Sequence, residues 1–406
     1  MVPDMTVDFP VVEVREGKAR FFIPDPKVFG EAGRLPPSRA PVFYNPRMSL
    51  NRDLAVLFLK AYQIKAGRTL KVCEPMAGCG VRGLRFALEV DGLERIVLND
   101  LSRRAYELAK LNVKHNGLEG LISVENEDAH KLLCRYSSPR QRLDYVDLDP
   151  FGSPSPFLDS ALRAVRSGGV LALTATDTAP LSGLHVKACM RKYLGKPLRV
   201  SYWREIAVRL LIGAALLSAL RHDLAVNPLF SYGVDHYVRA YVEISRGAKE
   251  ADKHLDYMGF ILHCRNCLRR EVKRGLTPFL PDRCGSCGSR LDYAGPLWLG
   301  RLVDKEFCEE MLRQVEGSTL ENVKSTTKLI VRLIDEADAP LTYYVSDEVC
   351  ERLKVPIPPI NDIVSELNFR GYLSTRTHFH DRGFKTEASS ETVLEVIKEI
   401  VEEKKV

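Results

Sequence analysis

From Thr69 onward, short apolar runs alternate with amphipathic segments. The runs "TLKVCE" (69–74), "RIVLN" (95–99), "LISVE" (121–125), "LDYVDL" (143–148) and "GVLALTAT" (169–176) have the length of buried strands. Between them, Val81–Val90, Ser102–His115 and Phe157–Val165 read as helices. This alternation predicts an α/β fold, a parallel sheet with helices on both faces. A later alternating run, "YVRAYVEIS" (Tyr237–Ser245), is expected as a strand at the sheet edge. The longest greasy stretch, Leu210–Leu220, has 11 residues, too few to span a bilayer, and reads as a buried helix. The first 50 or so residues lack periodicity, and Leu35–Met48 reads as a proline-stiffened loop with two aromatics.

The pattern changes near Gly247, which sets an expected boundary between residues 1–248 and 249–406. In the second part, a cysteine-rich ribbon is expected at about 260–292 and a winged-helix-like segment at about 340–390. There "VPIPPINDIVSELNFRGYLSTRTHF" reads as a helix, a glycine turn and a strand. Arg370, Arg376, His378, His380, Arg382 and Lys385 would either touch phosphates or form a solvated surface.

Composition narrows the class. A chain of 406 residues, 45% hydrophobic and with net charge +6, suits two or three globular domains. The first twenty residues carry Asp4, Asp8, Glu13 and Glu16 and no apolar run, so no secretory signal is expected. The reading is a soluble, cytoplasmic protein without membrane contact, and a monomer. Ten cysteines in that setting do not predict disulfides. Cys264 and Cys267 form one C-x-x-C pair, and Cys284 and Cys287 a second, sixteen residues on. That spacing predicts a structural zinc ribbon, whose four thiolates leave no open coordination position. From Arg265 to Arg301, eight Lys/Arg stand against three Asp/Glu. This excess suits a nucleic acid backbone, a solvated face, or an offset to the thiolate charge.

"EPMAGCGVRG" follows the first strand and opens a helix, so Gly78, Gly80 and Gly83 form G-x-G-x-x-G in the expected context. Asp100 ends the second strand, where it could hold ribose hydroxyls. Asp128, with the backbone at Ala129, could bind an adenine edge after the third. An adenosine-containing cofactor follows, either a nicotinamide dinucleotide or S-adenosyl-L-methionine. Glu74 and Arg82 beside the loop suit the ammonium and carboxylate of a methionine moiety better than a pyrophosphate. Taken singly, Asp100 and Asp128 could equally be helix caps.

The fourth strand ends on Asp149-Pro150-Phe151-Gly152, stiffened by Pro154 and Pro156. In an α/β sheet this end faces the ligand crevice. An exocyclic ring amine is a poor nucleophile because its lone pair is delocalised. Acceptors on its N–H groups, here the Asp149 carboxylate and Pro150 carbonyl, would localise that pair, while Phe151 stacks on the base. A carboxylate accepts two adjacent donors at once, which matches guanine N1–H and N2–H and not adenine. The competing structural role is a cap on the helix that follows.

These residues bring out a family likeness. "PVFYNPRMSLNRD", "EPMAGCGVRGLRF", "DLDPFGSP", "TATDTAPLSG", "RKYLGKP", "SYGVDHYVRAYV", "GPLWLG" and "RTHF" resemble blocks of the archaeal and eukaryotic tRNA guanine-26 N2-dimethyltransferase family. The resemblance implies a class I S-adenosylmethionine-dependent methyltransferase (Rossmann-like) domain; the C-terminal part, with its mixed helices and strands, reads as an α+β domain that would recognise tRNA shape through backbone contacts. The resemblance implies Arg52 and Arg82 as cofactor contacts, Asp100 on ribose, Asp128 and Ala129 on adenine, and Asp149 as catalytic acceptor. It also implies that Phe43 and Phe151 sandwich a flipped guanine. A non-catalytic RNA-binding protein on the same scaffold, or an enzyme for another exocyclic amine, are the rival readings. The intact Asp149, Phe151 and glycine loop oppose the first, and Asp in place of Asn opposes the second.

Overall fold

A computed structural model describes residues 7–29, 40–234 and 236–403. Leu35–Arg39 of the proline-stiffened loop lie outside the described residues. The chain forms two compact units, each assembled from separate segments. One comprises Met1–Pro150, Phe157–Leu173 and Glu309–Ile330, the other Phe151–Pro156, Thr174–Cys308 and Val331–Val406. This division by compactness cuts the chain differently from the functional boundary expected at 248/249.

The first unit is built on parallel strands, ordered across the sheet as Ile122–Glu125, Leu93–Asn99, Leu70–Glu74, Leu143–Leu148 and Val165–Ala175. Their near-continuous apolar sequences fit burial on both faces. The chain adds strands on one side of Leu70–Glu74, then returns to its other side with Leu143–Leu148. The crevice at the carboxyl ends of these two neighbours is therefore the topological switch point, where such folds bind ligands. Helices Val81–Glu89 and Arg103–His115 cover the sheet. Gly83 explains how closely the first of them packs, since a Cβ there would lie 2.4 Å from Leu98 Cδ2.

Two elements of this unit escape the periodicity. An antiparallel hairpin joins Val11–Glu16 to Ala19–Pro24. Its anchor is Asn112, whose Oδ1 accepts from Phe22 N (2.7 Å) and whose Nδ2 donates to the carbonyls of Phe22 (3.0 Å) and Cys79 (2.9 Å). The helix Ser49–Ala66 buries even Asn51, Arg52 and Asp53, so no polar stripe marks it.

In the second unit, helix Trp203–Leu220 contains the predicted apolar run and is buried along most of its length. Strand Tyr237–Arg246 pairs antiparallel with Leu224–Val234, a strand not foreseen because Asn227 and Pro228 interrupt its apolar pattern. The cysteine-rich segment forms a three-stranded antiparallel sheet, Arg270–Arg274, Met258–Cys264 and Leu291–Trp298 in that order. Gly213 lets the helix approach its last strand, with Leu297 Cα 3.2 Å from where a Cβ would stand.

The C-terminal segment has helices Ser346–Leu353, Ile360–Phe369 and Ser390–Glu403 around a small sheet of Tyr344–Val345, Gly383–Thr386 and Ser374–Arg376. Val349, Ile363, Leu367, Phe384, Val396 and Ile397 form its core. The expected helix, glycine turn and strand are present. Two of the basic residues expected there, Lys385 and His378, are buried rather than solvent-facing, while Arg382 stays exposed. Lys385 Nζ lies 2.9 Å from Glu205 Oε2, and His378 Nδ1 2.8 Å from Glu336 Oε1. Arg370 pairs with Glu366 and Glu399, and Arg382 with Asp347. Buried cations require partners, and the fold supplies them internally. Among the described residues, no helix is long and apolar enough to cross a membrane.

Candidate active site and metal centre

The glycine turn sits at the switch point. Gly78 and Gly80 have φ of +57° and +81°, in the left-handed region that favours glycine. Their neighbours are fixed by Asn99, whose Nδ2 donates to the carbonyls of Pro75 (2.9 Å) and Glu127 (3.0 Å) while its Oδ1 accepts from Glu127 N (3.0 Å). One side chain thereby registers the loops after three strands. Asp100 accepts from Gly78 N through Oδ2 and from Ser102 N through Oδ1, both at 2.9 Å. Burial raises its carboxyl above the ordinary value, against these two bonds. Asp128 does cap a helix: its Oδ1 accepts from His130 N (2.9 Å) and Lys131 N (3.2 Å). The side chain is exposed, Ala129 begins the helix beside it, and Oδ1 alone carries both cap bonds. Glu74 ends its strand buried next to the turn.

At the end of the neighbouring strand, Asp147 and Asp149 share one buried cation. Arg82 Nη1 donates to Asp147 Oδ1 (2.7 Å), and Nη2 donates both to Asn51 Oδ1 (2.9 Å) and to Asp149 Oδ2. Asp147 is held again by Tyr145 Oη at 2.7 Å. Asp147 is fully enclosed, whereas the Asp149 side chain keeps 22% of its surface open.

The "NRD" run sends its three side chains to separate sets of partners. Asn51 meets Arg82. Arg52 makes a two-pronged pair with Glu16, at 2.6 Å for each contact, and donates to the Asn45 carbonyl (3.1 Å). Asp53 accepts from Arg85 Nη1 (2.7 Å), from the backbone of Glu321 (3.3 Å) and Asn322 (2.8 Å), and from Asn322 Nδ2 (3.1 Å). Arg85 also pairs with Glu89 at 2.8 Å. Burial pushes the Glu16 carboxyl up, but Arg52 and Arg85 outweigh it and hold the group below its ordinary range.

The same network anchors the aromatic loop. Tyr44 Oη donates to Glu16 Oε2 (3.1 Å), and Asn45 Oδ1 accepts from Arg47 N (3.0 Å). Phe43, between these fixed neighbours and the glycine turn, is 37% exposed, and its carbonyl lies 3.2 Å from where a Gly78 Cβ would be.

Phe151 belongs to the second unit and is 70% exposed there. Its loop is clamped just beyond the ring. Gly152 N donates to Thr176 Oγ1 and Thr176 N donates to the Gly152 carbonyl, both at 2.9 Å, with Gly152 at φ +81°.

The four ribbon cysteines converge, their sulfurs all within 4.8 Å of one another. Cys264 and Cys287 Sγ are 3.4 Å apart, and Cys267 and Cys284 Sγ 3.6 Å. Tetrahedral zinc thiolate bonds of about 2.3 Å place sulfurs about 3.8 Å apart, so the donor set fits zinc. His263 faces Tyr202 and is not among the converging donors. Each knuckle closes on a residue of positive φ, Gly288 at +70° and Leu268 at +58°. Glycine takes that conformation freely and leucine does not. The Leu268 side chain is buried in the core of the C-terminal segment.

The structure thus gathers Glu74, Gly78, Gly80, Arg82, Asp100 and Asp149 at one sheet edge, and the four cysteines at one ribbon. It gives Arg52 and Arg82 carboxylate partners within the chain. Sequence reasoning missed Glu16, Asn51, Asp53, Arg85, Asn99, Asp147 and Thr176, whose roles are to hold other residues. Only Asp147 carried a signal, standing two positions before Asp149 on the same strand.

A family model described as N2,N2-dimethylguanosine tRNA methyltransferase matches residues 17–398. The tRNA (guanine(26)-N(2))-dimethyltransferase of Methanosphaera stadtmanae is 37% identical over 396 residues, covering 96% of this chain and 97% of its own. The tRNA (guanine(26)-N(2)/guanine(27)-N(2))-dimethyltransferase of Aquifex aeolicus is 39% identical over 394 residues, with 95% and 96% covered. Among solved structures, Trm1 from Pyrococcus horikoshii in complex with S-adenosyl-L-methionine matches with a TM-score of 0.84 at 36% identity, covering 95% of this chain and 99% of that one. By sequence along nearly its whole length, and by fold, the chain belongs to the N2,N2-dimethylguanosine tRNA methyltransferase family.

Proposed function

We propose that Asp149 activates the exocyclic amine of guanine and that the glycine turn beside it holds S-adenosyl-L-methionine. The reaction is the family's: two methyl groups pass in turn to N2 of guanine 26 in tRNA. The observation that carries the residue assignment is the Asp149 carboxylate, partly open at the switch point, on the strand next to the glycine turn.

The site suits the cofactor on its own terms. A side chain at Gly78 would press on the Phe43 carbonyl, so the turn presents bare backbone. Asn51 Nδ2 is buried without a protein partner, a donor that a polar ligand group would satisfy. Gly78 and Gly80 would line the methionine end with Glu74, flanked by Arg52 and Arg82. Asp100 would meet the ribose, and Asp128 and Ala129 the adenine. Bound S-adenosyl-L-methionine supplies an electrophilic methyl group on sulfur.

The chain's own residues do the rest. Phe43 and Phe151 stack on a guanine extruded from the folded RNA. Asp149 accepts N1–H and N2–H, which localises the nitrogen lone pair and orients it. Once N2 has taken the methyl group it would shed a proton to Asp149, which would pass it to water. One N–H remains after the first round, so the same contact serves the second. Residues 249–406 would bind the tRNA. The cations of the C-terminal segment are largely engaged within the fold, so phosphate contacts fall to the ribbon, where Arg274, Arg283 and Arg290 are exposed. We place the enzyme in the cytoplasm, a reading supported by its tRNA substrate, and read it as a monomer.

The test is nucleoside mass spectrometry of unmodified tRNA incubated with the enzyme and labelled S-adenosyl-L-methionine. Dimethylguanosine at position 26 is expected. Asp149→Ala should lower single-turnover methyl transfer by roughly two to four orders of magnitude while cofactor and tRNA still bind. Asp149→Asn should be severely impaired too, because its amide sets an N–H against one guanine donor. Near wild-type rates for the Asn variant would refute the carboxylate–guanine pairing.

A further inference from the structure

We propose that Arg82 is a positioning residue for Asp149, an inference that rests on the reading of Asp149 as the guanine acceptor. The place of Arg82 in the turn predicts a partner on the cofactor. The structure instead gives both its terminal nitrogens to the protein. Nη1 donates to Asp147 Oδ1 at 2.7 Å, and Nη2 to Asn51 Oδ1 at 2.9 Å and to Asp149 Oδ2.

Every partner behind the guanidinium is itself held. Asp147 lies within the strand register and accepts from Tyr145 Oη at 2.7 Å. Asn51 sits on the buried face of helix Ser49–Ala66. Arg82 is in the first turn of helix Val81–Glu89, itself buried. The guanidinium plane is thus fixed by two helices and a strand, and Asp149 Oδ2 accepts from the same Nη2 that binds Asn51.

That matters because the terminal torsion of an aspartate is soft, with a broad well. A carboxylate at a strand end would sample rotations that break a two-point match to guanine. With Oδ2 anchored, the carboxylate plane is set before the base arrives. A carboxylate has about four lone-pair sites, so one bond from Arg82 leaves sites on both oxygens for N1–H and N2–H. The same cation stands between Asp147 and Asp149, which would otherwise repel each other across one strand end.

The test is single-turnover methyl transfer to unmodified tRNA at saturating enzyme and saturating S-adenosyl-L-methionine, so that a loss of cofactor affinity does not register. Arg82→Met and Arg82→Lys should each lower the rate about 10- to 100-fold, the scale of a small misplacement at a reacting centre. Asn51→Ala removes one anchor of the guanidinium without stripping a buried charge of its partner. It should cost about 3- to 10-fold, as for one neutral hydrogen bond. In an Asp149→Ala background, none of the three should lower the rate further.

Full recovery of the Arg82→Met rate at saturating cofactor would overturn the proposal and make Arg82 a cofactor contact only. An undiminished loss on top of Asp149→Ala would also overturn it, leaving Arg82 a general support of the fold. If Asp149→Ala alone kept the wild-type rate, the underlying reading would fail first, and visibly so. Should Arg82→Met not fold, Asn51→Ala and Arg82→Lys distinguish the same outcomes.

Discussion

Replacing Glu205 by Gln changes one atom type at the centre of the second unit. The carboxylate is wholly buried on helix Trp203–Leu220. It accepts from Arg209 Nη2 (2.8 Å) and from Thr342 N (3.0 Å), and it lies 2.9 Å from Lys385 Nζ. Burial alone would push its carboxyl up, yet Lys385 and Arg209 outweigh it and pull the group down to about 2 from an ordinary 4.5. A depression of that size corresponds to about 3 kcal/mol of stability near neutral pH. Breaking one side of a buried charge pair costs about 3–5 kcal/mol on independent grounds, because the remaining charges stay buried. In the Gln variant those charges are Lys385 and Arg209. The two magnitudes agree, and we expect a loss of about 3–5 kcal/mol at pH 7. The assay is urea unfolding followed by tryptophan fluorescence, since the only two tryptophans, Trp203 and Trp298, both belong to this unit. The pH dependence has a definite sign. A depressed carboxyl stabilises fully above its unfolded value of 4.5 and loses that contribution as pH falls toward about 2. The gap between wild type and Glu205→Gln should therefore narrow through that acid window. Adding Lys385→Met to Glu205→Gln should restore part of the stability. A gap under about 1 kcal/mol at pH 7, the scale of an exposed pair, would refute the reasoning.

Chelation, or Cys264→Ser, should lower zinc content and melt the ribbon. Because Leu268 inserts into the core around Ile363 and Phe384, amide exchange should also rise in that core, and exchange confined to the ribbon would disprove the link. A chain ending at residue 248 lacks Glu321 and Asn322, so Asp53 keeps Arg85 but loses three donors. Circular dichroism should show it several kcal/mol less stable, at about 1–3 kcal/mol per orphaned buried partner, and unchanged melting would count against that role. Asp100→Ala should weaken S-adenosyl-L-methionine binding while leaving tRNA affinity intact, with calorimetry and filter binding as the paired measurements. Gly83→Ala should destabilise the first unit, since its Cβ would fall 2.4 Å from Leu98 Cδ2, and a thermal midpoint equal to wild type would show that Leu98 simply moves aside.

The parallel sheet was legible because strands buried on both faces leave unbroken apolar runs between turn signals. The glycine turn and the cysteine quartet were legible because each needs particular residues at fixed spacing. Helix Ser49–Ala66 was not, because Asn51, Arg52 and Asp53 read as surface until their buried partners are known. Those partners, Glu16, Arg82, Arg85 and Asn322, lie far away along the chain, and no local pattern announces them. The same limit misled the reading of Lys385 and His378. A basic side chain on a short hairpin has no sequence mark that tells solvent from an internal carboxylate. Asp128 shows a further ambiguity: capping a helix occupies one oxygen and leaves the site reading open.

The return of residues 309–330 to the first unit bears on how the chain is made. Its strand Leu143–Leu148 leaves the ribosome well before Asn322, which completes the shell around Asp53. At about 5–20 residues per second, that interval is on the order of ten seconds or more. Throughout it, the glycine turn and the Asp149 strand have been synthesised, while Asp53 has Arg85 but still lacks its three donors from Glu321 and Asn322. The first unit therefore cannot complete its packing before much of the second has been made. The ribbon cysteines emerge inside that interval, so zinc can be captured before the first unit is sealed.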